Sequence, residues 1–350
     1  MNNMLKQNKA YREGDEKMFG TTFYNVIHEK PAERPKPAEQ PKPVERPKPV
    51  NKEEMSAKEI YDYLDERVIK QEEAKKAAAM IMWKCLRGIK QNIMFCGPTG
   101  CGKTEIWRCL STLFPSRISI VDVSSLTMEG FTGNTKWQDL FRSEHFRDSK
   151  NTIMVLDETD KMLSPKFTSR GENVSEHIMS EGLKIIEGTN MKIKMSNDNY
   201  RYVDTNHISF VLLGAFSRKA EEIAEKQRGS SMGFGSEKKD AKAYSKPITV
   251  KDILDYGVTP EFMGRISKIV NLSPMTKNDY ESILYKEGCS PIKKLEKIYN
   301  LKIYLTAEHM DMVLENAMNN GLGIRGMANE LANLLDERLF EGVTGDCVFI

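Results

Sequence analysis

Eight consecutive residues, Gly97-Pro98-Thr99-Gly100-Cys101-Gly102-Lys103-Thr104, place three glycines, a lysine and a hydroxyl in one short segment. Their spacing fits G-x-x-x-x-G-K-[ST]. The glycines of such a loop let backbone amides curl around a phosphate chain, the lysine reaches the β- and γ-phosphates, and the hydroxyl is offered to Mg²⁺. The apolar run Asn92–Cys96 leads into the segment, and Thr104–Leu113 leaves it with helical spacing, Glu105 in its first turn. Strand, loop and helix N-terminus are the context that phosphate binding needs, because the helix end adds its positive dipole. Cys101 takes a variable position and reads as a small filler. About 50 residues further on, Thr152-Ile153-Met154-Val155-Leu156 runs straight into Asp157-Glu158. Beside a phosphate loop, Asp157 would hold Mg²⁺ and Glu158 would polarise a water for attack on the γ-phosphate. A glutamate in that second place favours hydrolysis over transfer to another acceptor. The expected ligands are therefore ATP and Mg²⁺, with Thr104 and Asp157 on the metal and Lys103, Asp157 and Glu158 in the chemistry.

The elements that must position these groups follow from pattern. Short, almost wholly apolar runs (Asn92–Cys96, Ile118–Val123, Thr152–Leu156, Ile208–Leu213, Lys268–Leu272) alternate with helical segments such as Glu72–Leu86 and Met179–Ile186. Strands without polar alternation belong to a parallel sheet covered on both faces. The expected fold is α/β over residues 52–273, followed by a small, mainly helical domain over 274–350. Residues 31–51 hold half of the chain's prolines in a six-residue near-repeat with Lys, Arg and Glu. That composition predicts a polyproline II tether reaching roughly 60 Å at about 3.1 Å per residue. Residues 1–30 read as a tail or docking segment too poor in apolar residues for its own core.

Composition argues against several classes. Across 350 residues, 52 Lys and Arg balance 50 Asp and Glu, so no strong basic field is available for a nucleic-acid backbone. No apolar run approaches a membrane span, and the N-terminus lacks the apolar core of a signal peptide, so a cytoplasmic location is expected. The six cysteines form no C-x-x-C pair and the five histidines are scattered, which argues against zinc and against a disulfide framework.

Further segments, taken with the two motifs, give a specific likeness. Val68-Ile69-Lys70-Gln71, Leu156–Lys161 (LDETDK), Lys184-Ile185-Ile186-Glu187-Gly188-Thr189, Val203-Asp204-Thr205 leading to Gly214-Ala215-Phe216, Thr259-Pro260-Glu261-Phe262-Met263-Gly264-Arg265 and Gly323-Ile324-Arg325-Gly326 occur in this order. Over roughly residues 56–340 the chain resembles the ClpX branch of the AAA+ ATPases, hexameric protein unfoldases that feed a barrel peptidase. The resemblance implies an AAA+ P-loop NTPase fold with a small helical lid domain, and adenine contact by Val68 and Ile69. It implies an arginine finger, Arg265, reaching a neighbouring subunit's ATP, and a nucleotide-sensing Arg325. Gly130-Phe131-Thr132-Gly133 stands where the family carries its pore loop, and Met232-Gly233-Phe234 resembles the loop tip that docks on the peptidase.

The expected activity is ATP-dependent unfolding and translocation of protein substrates by a homo-oligomeric ring, handing chains to a ClpP-like peptidase. A peptidase-independent remodelling chaperone and a DNA-associated AAA+ motor are the alternatives. Departures fall in the nucleotide segments as well as at substrate-handling positions. Lys70 replaces a glycine, Ala328 replaces a second arginine, and no cysteine precedes Cys85, so the family's N-terminal zinc module is missing. The second pore loop is altered at Val174-Ser175-Glu176-His177, and Met191–Tyr200 shows no clear equivalent of the basic pore-entrance loop.

Overall fold

The computed structural model describes residues 51–127, 135–143, 146, 151–195, 199–228, 244, 246–319, 323–342 and 347–350. The tail and tether up to residue 50, Gly130–Gly133 and Met232–Phe234 lie outside the described residues.

Nine strands occur among the described residues: β1 (Ile93–Cys96), β2 (Ile118–Asp122), β3 (Thr152–Asp157), β4 (Asn190–Lys194), β5 (Tyr200–Asp204), β6 (Ile208–Gly214), β7 (Ile269–Asn271), β8 (Lys302–Tyr304) and β9 (Cys347–Phe349). Five of them form a parallel sheet in the order β2-β3-β6-β1-β7. Its register sets Val155 beside Val211, Val211 beside Ile93, and Phe95 between Leu213 and Val270. Side chains alternate between two cores. Ile93, Phe95, Ile153, Val155, Val211 and Leu213 enter one, while Met94, Cys96, Met154, Leu156, Phe210 and Leu212 enter the other. The three inner strands β1, β3 and β6 are almost wholly apolar because neither face of the sheet meets water there.

Helices α1 (Ala57–Asp65), α2 (Glu72–Leu86) and α3 (Lys103–Leu113) supply the first core with Ile60, Leu64, Ala78, Met82, Ile106 and Leu110. Ser56 starts α1 as a capping box: its hydroxyl accepts from Glu59 N at 3.2 Å, and the Glu59 carboxylate accepts from Ser56 N at 2.8 Å. The second core is closed by α4 (Thr159–Leu163), α5 (Val174–Glu187) and the short helix Pro260–Met263, through Met162, Ile178, Ile186 and Phe262. The fold is therefore α/β, with the parallel sheet sandwiched between helical layers.

One segment differs from expectation, and another carried no structural expectation. Val174–His177, expected as an altered loop, is the first turn of α5. Asn173 caps it by accepting from Glu176 N at 3.3 Å, and the buried Ser175 hydroxyl donates to Ser164 O, so the helix begins before its apolar stripe does. The Met191–Tyr200 region is an antiparallel hairpin, with Ile193 and Val203 turned inward and Lys192 opposite Tyr202 on the outer face. Its two-residue period was too short and too charged to read as a strand in isolation.

Beyond β7 a third core forms among the helices Lys277–Tyr285, Pro291–Tyr299, Ala307–Asn319 and Ile324–Phe340 and the small parallel pair β8–β9. Ile283, Leu284, Val313, Leu314, Leu331, Leu335 and Val348 are its centre, and Ile69 and Met275 pack against its edge. Among the described residues no helix is long and apolar enough to cross a membrane.

The helix behind the phosphate loop is anchored by Trp107, fully buried and edge-on to Phe95 of β1 with centroids 5.7 Å apart. Its indole Nε1 has no hydrogen-bond partner. Trp107→Phe keeps the ring contact and removes the unpartnered donor, so its stability is expected within about 1 kcal/mol of wild type, whereas Trp107→Ala is expected to cost about 3–5 kcal/mol. Urea unfolding of the two variants measures the difference.

Candidate active site

The chain leaves β1 for the far edge of the sheet at β2, returns through β3 and β6, and then crosses β1 to β7. Both neighbours of β1 thus arrive late in the sequence, and a crevice opens at the carboxyl end of β1, where ligands of open α/β sheets bind. Gly97–Gly102 turns through this crevice with left-handed backbone at Gly100 (φ 76°) and Gly102 (φ 97°), and Gly102 sits at the N-terminus of α3. A side chain at Gly97 would stand 2.8 Å from Leu272 Cβ, so only glycine lets the loop leave the sheet there. Lys103 Nζ donates to the loop carbonyls of Gly97 at 2.6 Å and Pro98 at 2.8 Å. Cys101 is buried, and burial pushes its thiol above the usual range, which fits a packing role.

Across the crevice, Thr104 Oγ1 donates to Asp157 Oδ2 at 2.8 Å. A hydroxyl and a carboxylate oxygen in contact beside a phosphate loop are the hard oxygen donors that Mg²⁺ prefers, so the residues fit the expected ion. Glu158 follows in a left-handed conformation (φ 58°), a strained setting for a side-chain-bearing residue and one that clusters at functional sites. Its carboxylate is 40% exposed and paired to Lys161 Nζ at 2.6 Å; that hydrogen bond raises the lysine above its ordinary pKa. Asp160 turns back to accept from Ala215 N at 3.1 Å, tying the end of β6 to the acidic turn.

These groups line a cleft of about 330 Å³. Its walls include Val68, Ile69, the loop from Thr99 to Thr104, Glu105, Asp157 and Glu158, and from the helical part Ile283, Ile324 and Arg325. Of the residues expected to contact nucleotide, Gly97 and Pro98 alone do not line the cleft; they meet Lys103 through their carbonyls. Asp160, Lys161, Met275, Cys289 and Lys294 also line it and were not singled out from sequence. Asp160 and Lys161 lay within a quoted motif, but Met275, Cys289 and Lys294 carry no local signal and come from the far side of the cleft. That side closes directly on the loop: Gly323 (φ 56°) leads into the helix that carries Arg325, and a side chain on it would stand 2.9 Å from Gly100 Cα.

Arg265 is elsewhere. Asn92, just ahead of β1, donates through Nδ2 to Arg265 O at 3.2 Å, and Arg265 itself pairs with Glu187 at 3.0 Å. The strand step of about 3.3 Å separates Asn92 from Gly97 by roughly 16 Å, beyond the reach of an arginine side chain. Arg265 shares a second cleft with Lys90, whose ammonium donates to Glu187 O at 3.2 Å and Thr205 O at 3.0 Å and so sits at the C-terminus of α5.

A parallel sheet with a phosphate loop on one strand and an Asp-Glu pair ending another, separated by an inserted third, defines a P-loop ATPase. The chain belongs to the AAA ATPases: the family described as AAA domain (Cdc48 subfamily) matches residues 89–269. It is ClpX-like within that class. The ATP-dependent Clp protease ATP-binding subunit ClpX of Treponema denticola is 27% identical over 322 residues, which cover 81% of this chain and 76% of the relative. The protein is accordingly an enzyme that hydrolyses ATP.

Two outcomes follow from the geometry. Gly323→Ala forces a methyl group against the Gly100 backbone in a strained conformation, and is expected to weaken ATP binding about tenfold or more with little loss of global stability, measured by titration with a fluorescent ATP analogue. Burial pulls Lys90 down to about 8, below its unfolded value. Between about pH 8 and 10.4 the unfolded chain therefore binds the proton more readily, and this residue's contribution to stability rises with pH. The difference in unfolding free energy between wild type and Lys90→Met, followed from pH 8 to pH 9.5, is expected to shift in favour of wild type.

Proposed function

We propose that this chain is the motor subunit of a homo-oligomeric ring, a hexamer by its resemblance to the ClpX branch, that unfolds and translocates protein substrates in the cytoplasm and passes them to a ClpP-like peptidase. The observation that carries the reading is the separation of Arg265 from the phosphate loop of its own chain. An arginine finger at that end of the sheet can serve only a site on another copy, which makes hydrolysis depend on assembly.

Within each site Val68 and Ile69 bound the base, Gly97–Glu105 follow the phosphates, and Lys103 leaves the loop carbonyls for the β- and γ-phosphate oxygens. Thr104 and Asp157 would hold Mg²⁺, which when bound draws negative charge off the phosphate oxygens. Glu158 accepts a proton from the attacking water, and Arg265 of the neighbouring subunit meets the charge that spreads over the transferring group. Arg325, on the helix whose leading glycine rests on Gly100, reports the state of the nucleotide to the helical domain. Phe131 would line the pore and Met232-Gly233-Phe234 would seat on the peptidase; both assignments rest on sequence. The Treponema denticola relative is a Clp protease ATP-binding subunit, which supports the same partner.

Mixed rings test the central claim. Lys103→Ala spoils a subunit's own site and keeps its finger, whereas Arg265→Ala does the reverse. Random mixing leaves half of the sites intact and gives half of those an intact neighbouring finger, so roughly a quarter of the wild-type ATPase rate is expected where either parent alone is nearly inactive. A mixture no more active than the parents' mean would reject a finger acting between subunits. With ClpP present, Phe234→Ala is expected to abolish degradation of a labelled protein while leaving its ATPase rate in place.

A further inference from the structure

Gln71 follows Val68-Ile69-Lys70 and immediately precedes α2. It is 5% exposed, and both it and Lys70 have left-handed backbone, φ 62° and 61°. Its amide is committed on both sides. Nε2 donates to Cys101 O in the phosphate loop at 3.1 Å and to Ser273 O at 2.7 Å, while Oε1 accepts from Ser273 N at 3.0 Å. Two carbonyls require the NH₂ group and the backbone N–H requires the oxygen, so the partners themselves fix the orientation of the amide.

Ser273 lies in the connection between β7 and the helix Lys277–Tyr285, the route by which the chain enters the helical domain. The neighbouring Lys70 grips the same connection: its Nζ donates to Pro274 O at 2.9 Å and to Asp279 Oδ2 at 2.8 Å. Asp279 is also the residue whose carboxylate accepts from Thr276 N at 2.7 Å to cap that helix. Burial raises the Asp279 carboxyl, and the Lys70 ammonium with the Thr276 donors outweighs it, so the group lies below the usual carboxylate range.

We propose that Gln71 is a positioning residue for ATP hydrolysis: it links the phosphate-loop backbone at Cys101 to the interdomain connection at Ser273, so that nucleotide contact on the loop and the setting of the helical domain change together. The loop and the connection lie about 170 residues apart in sequence, and one side chain bonds both. Loss of this link leaves the residues that touch nucleotide and the seat of Gly323 on Gly100 in place, and removes the hydrogen-bonded path from the loop to the connection that leads to Arg325. The proposal rests on the ATPase activity and is independent of unfolding and the peptidase; its hydrogen-exchange readout follows MgATP binding and does not depend on the finger of a neighbouring subunit, as kcat does.

The test uses the full chain and MgATP, with hydrogen exchange read on peptides covering 97–104 and 272–276 beside steady-state ATPase kinetics. In wild type MgATP is expected to slow exchange in both peptides. Gln71→Met, neutral and of similar length, is expected to keep the protection of 97–104, lose the response of 272–276, and lower kcat about tenfold with KM changed less than threefold. Gln71→Glu keeps an acceptor for Ser273 N but sets a carboxylate against the two carbonyls, so the same pattern is expected, and this variant decides the matter if the first does not fold. A purely structural role would alter thermal stability and leave the response of 272–276 intact. Retention of that response in either folded variant, or its absence in wild type, would overturn the proposal.

Discussion

Burial on both faces of the central sheet is the constraint from which the arrangement follows. Each residue of β1 is buried, as are five of the six residues of β3 and all of β6, so those strands have no side chain to spare for chemistry along their length. Reactive groups can stand only where strands end. Asp157 is the one residue of β3 that is not fully buried, and it is the one that meets Thr104. The inserted β6 between β1 and β3 gives the crevice its width, and its end joins the two motifs: Gly214 O accepts from Gly97 N at 3.3 Å, and Ala215 N donates to Asp160 at 3.1 Å.

A sheet with all chemistry at its ends has two poles. At the carboxyl pole lie the phosphate loop, the acidic turn and the cover formed by Ile324 and Arg325. At the amino pole Asn92 joins the backbone of Arg265 and Phe210, and Lys90 neutralises the carbonyl end of α5. The rigidity that holds each pole also keeps the two from meeting within one molecule. Polarity of this kind suits head-to-tail packing, in which one copy's amino pole approaches the next copy's carboxyl pole and closure gives a ring.

Much of this was legible in the sequence, for a local reason. The loop from Gly97 to Thr104 and the strand ending in Asp157-Glu158 are each specified by residues within about eight positions of one another, and pattern reading works at that range. Val68 and Ile69 came from resemblance, as adenine contacts, and both line the cleft. What stayed hidden depends on distant partners. Cys289 and Lys294 become lining residues only when the helical domain folds over α3, and Gly323 reads as an ordinary helix-leading glycine until Gly100 is seen beneath it. The β4–β5 hairpin exposes Lys192 and Tyr202 on one face and buries only Ile193 and Val203 on the other, too little apolar signal for a strand assignment. Val174–His177 was misplaced because a cap, Asn173, governs it rather than its own hydrophobicity.

Lys70 shows how a departure from family pattern can be reconciled with the fold. A side-chain-bearing residue at φ 61° is strained by about 1–2 kcal/mol, which is why glycine suits the position in the resembling family. The compensation is a charge-assisted contact in a partly buried setting: the ammonium and the Asp279 carboxylate are 29% and 20% exposed, and a backbone carbonyl accepts a second bond. Hydrogen bonds to charged groups contribute about 1.5–3 kcal/mol, enough to offset the strain. Glycine there would leave Asp279 with the Thr276 donors alone and Ser273-Pro274 tied to this segment through Gln71 only. The substitution therefore exchanges backbone freedom for a second grip on the joint between the two parts of the molecule, and stiffens the one element that must flex if hydrolysis is to move the helical domain.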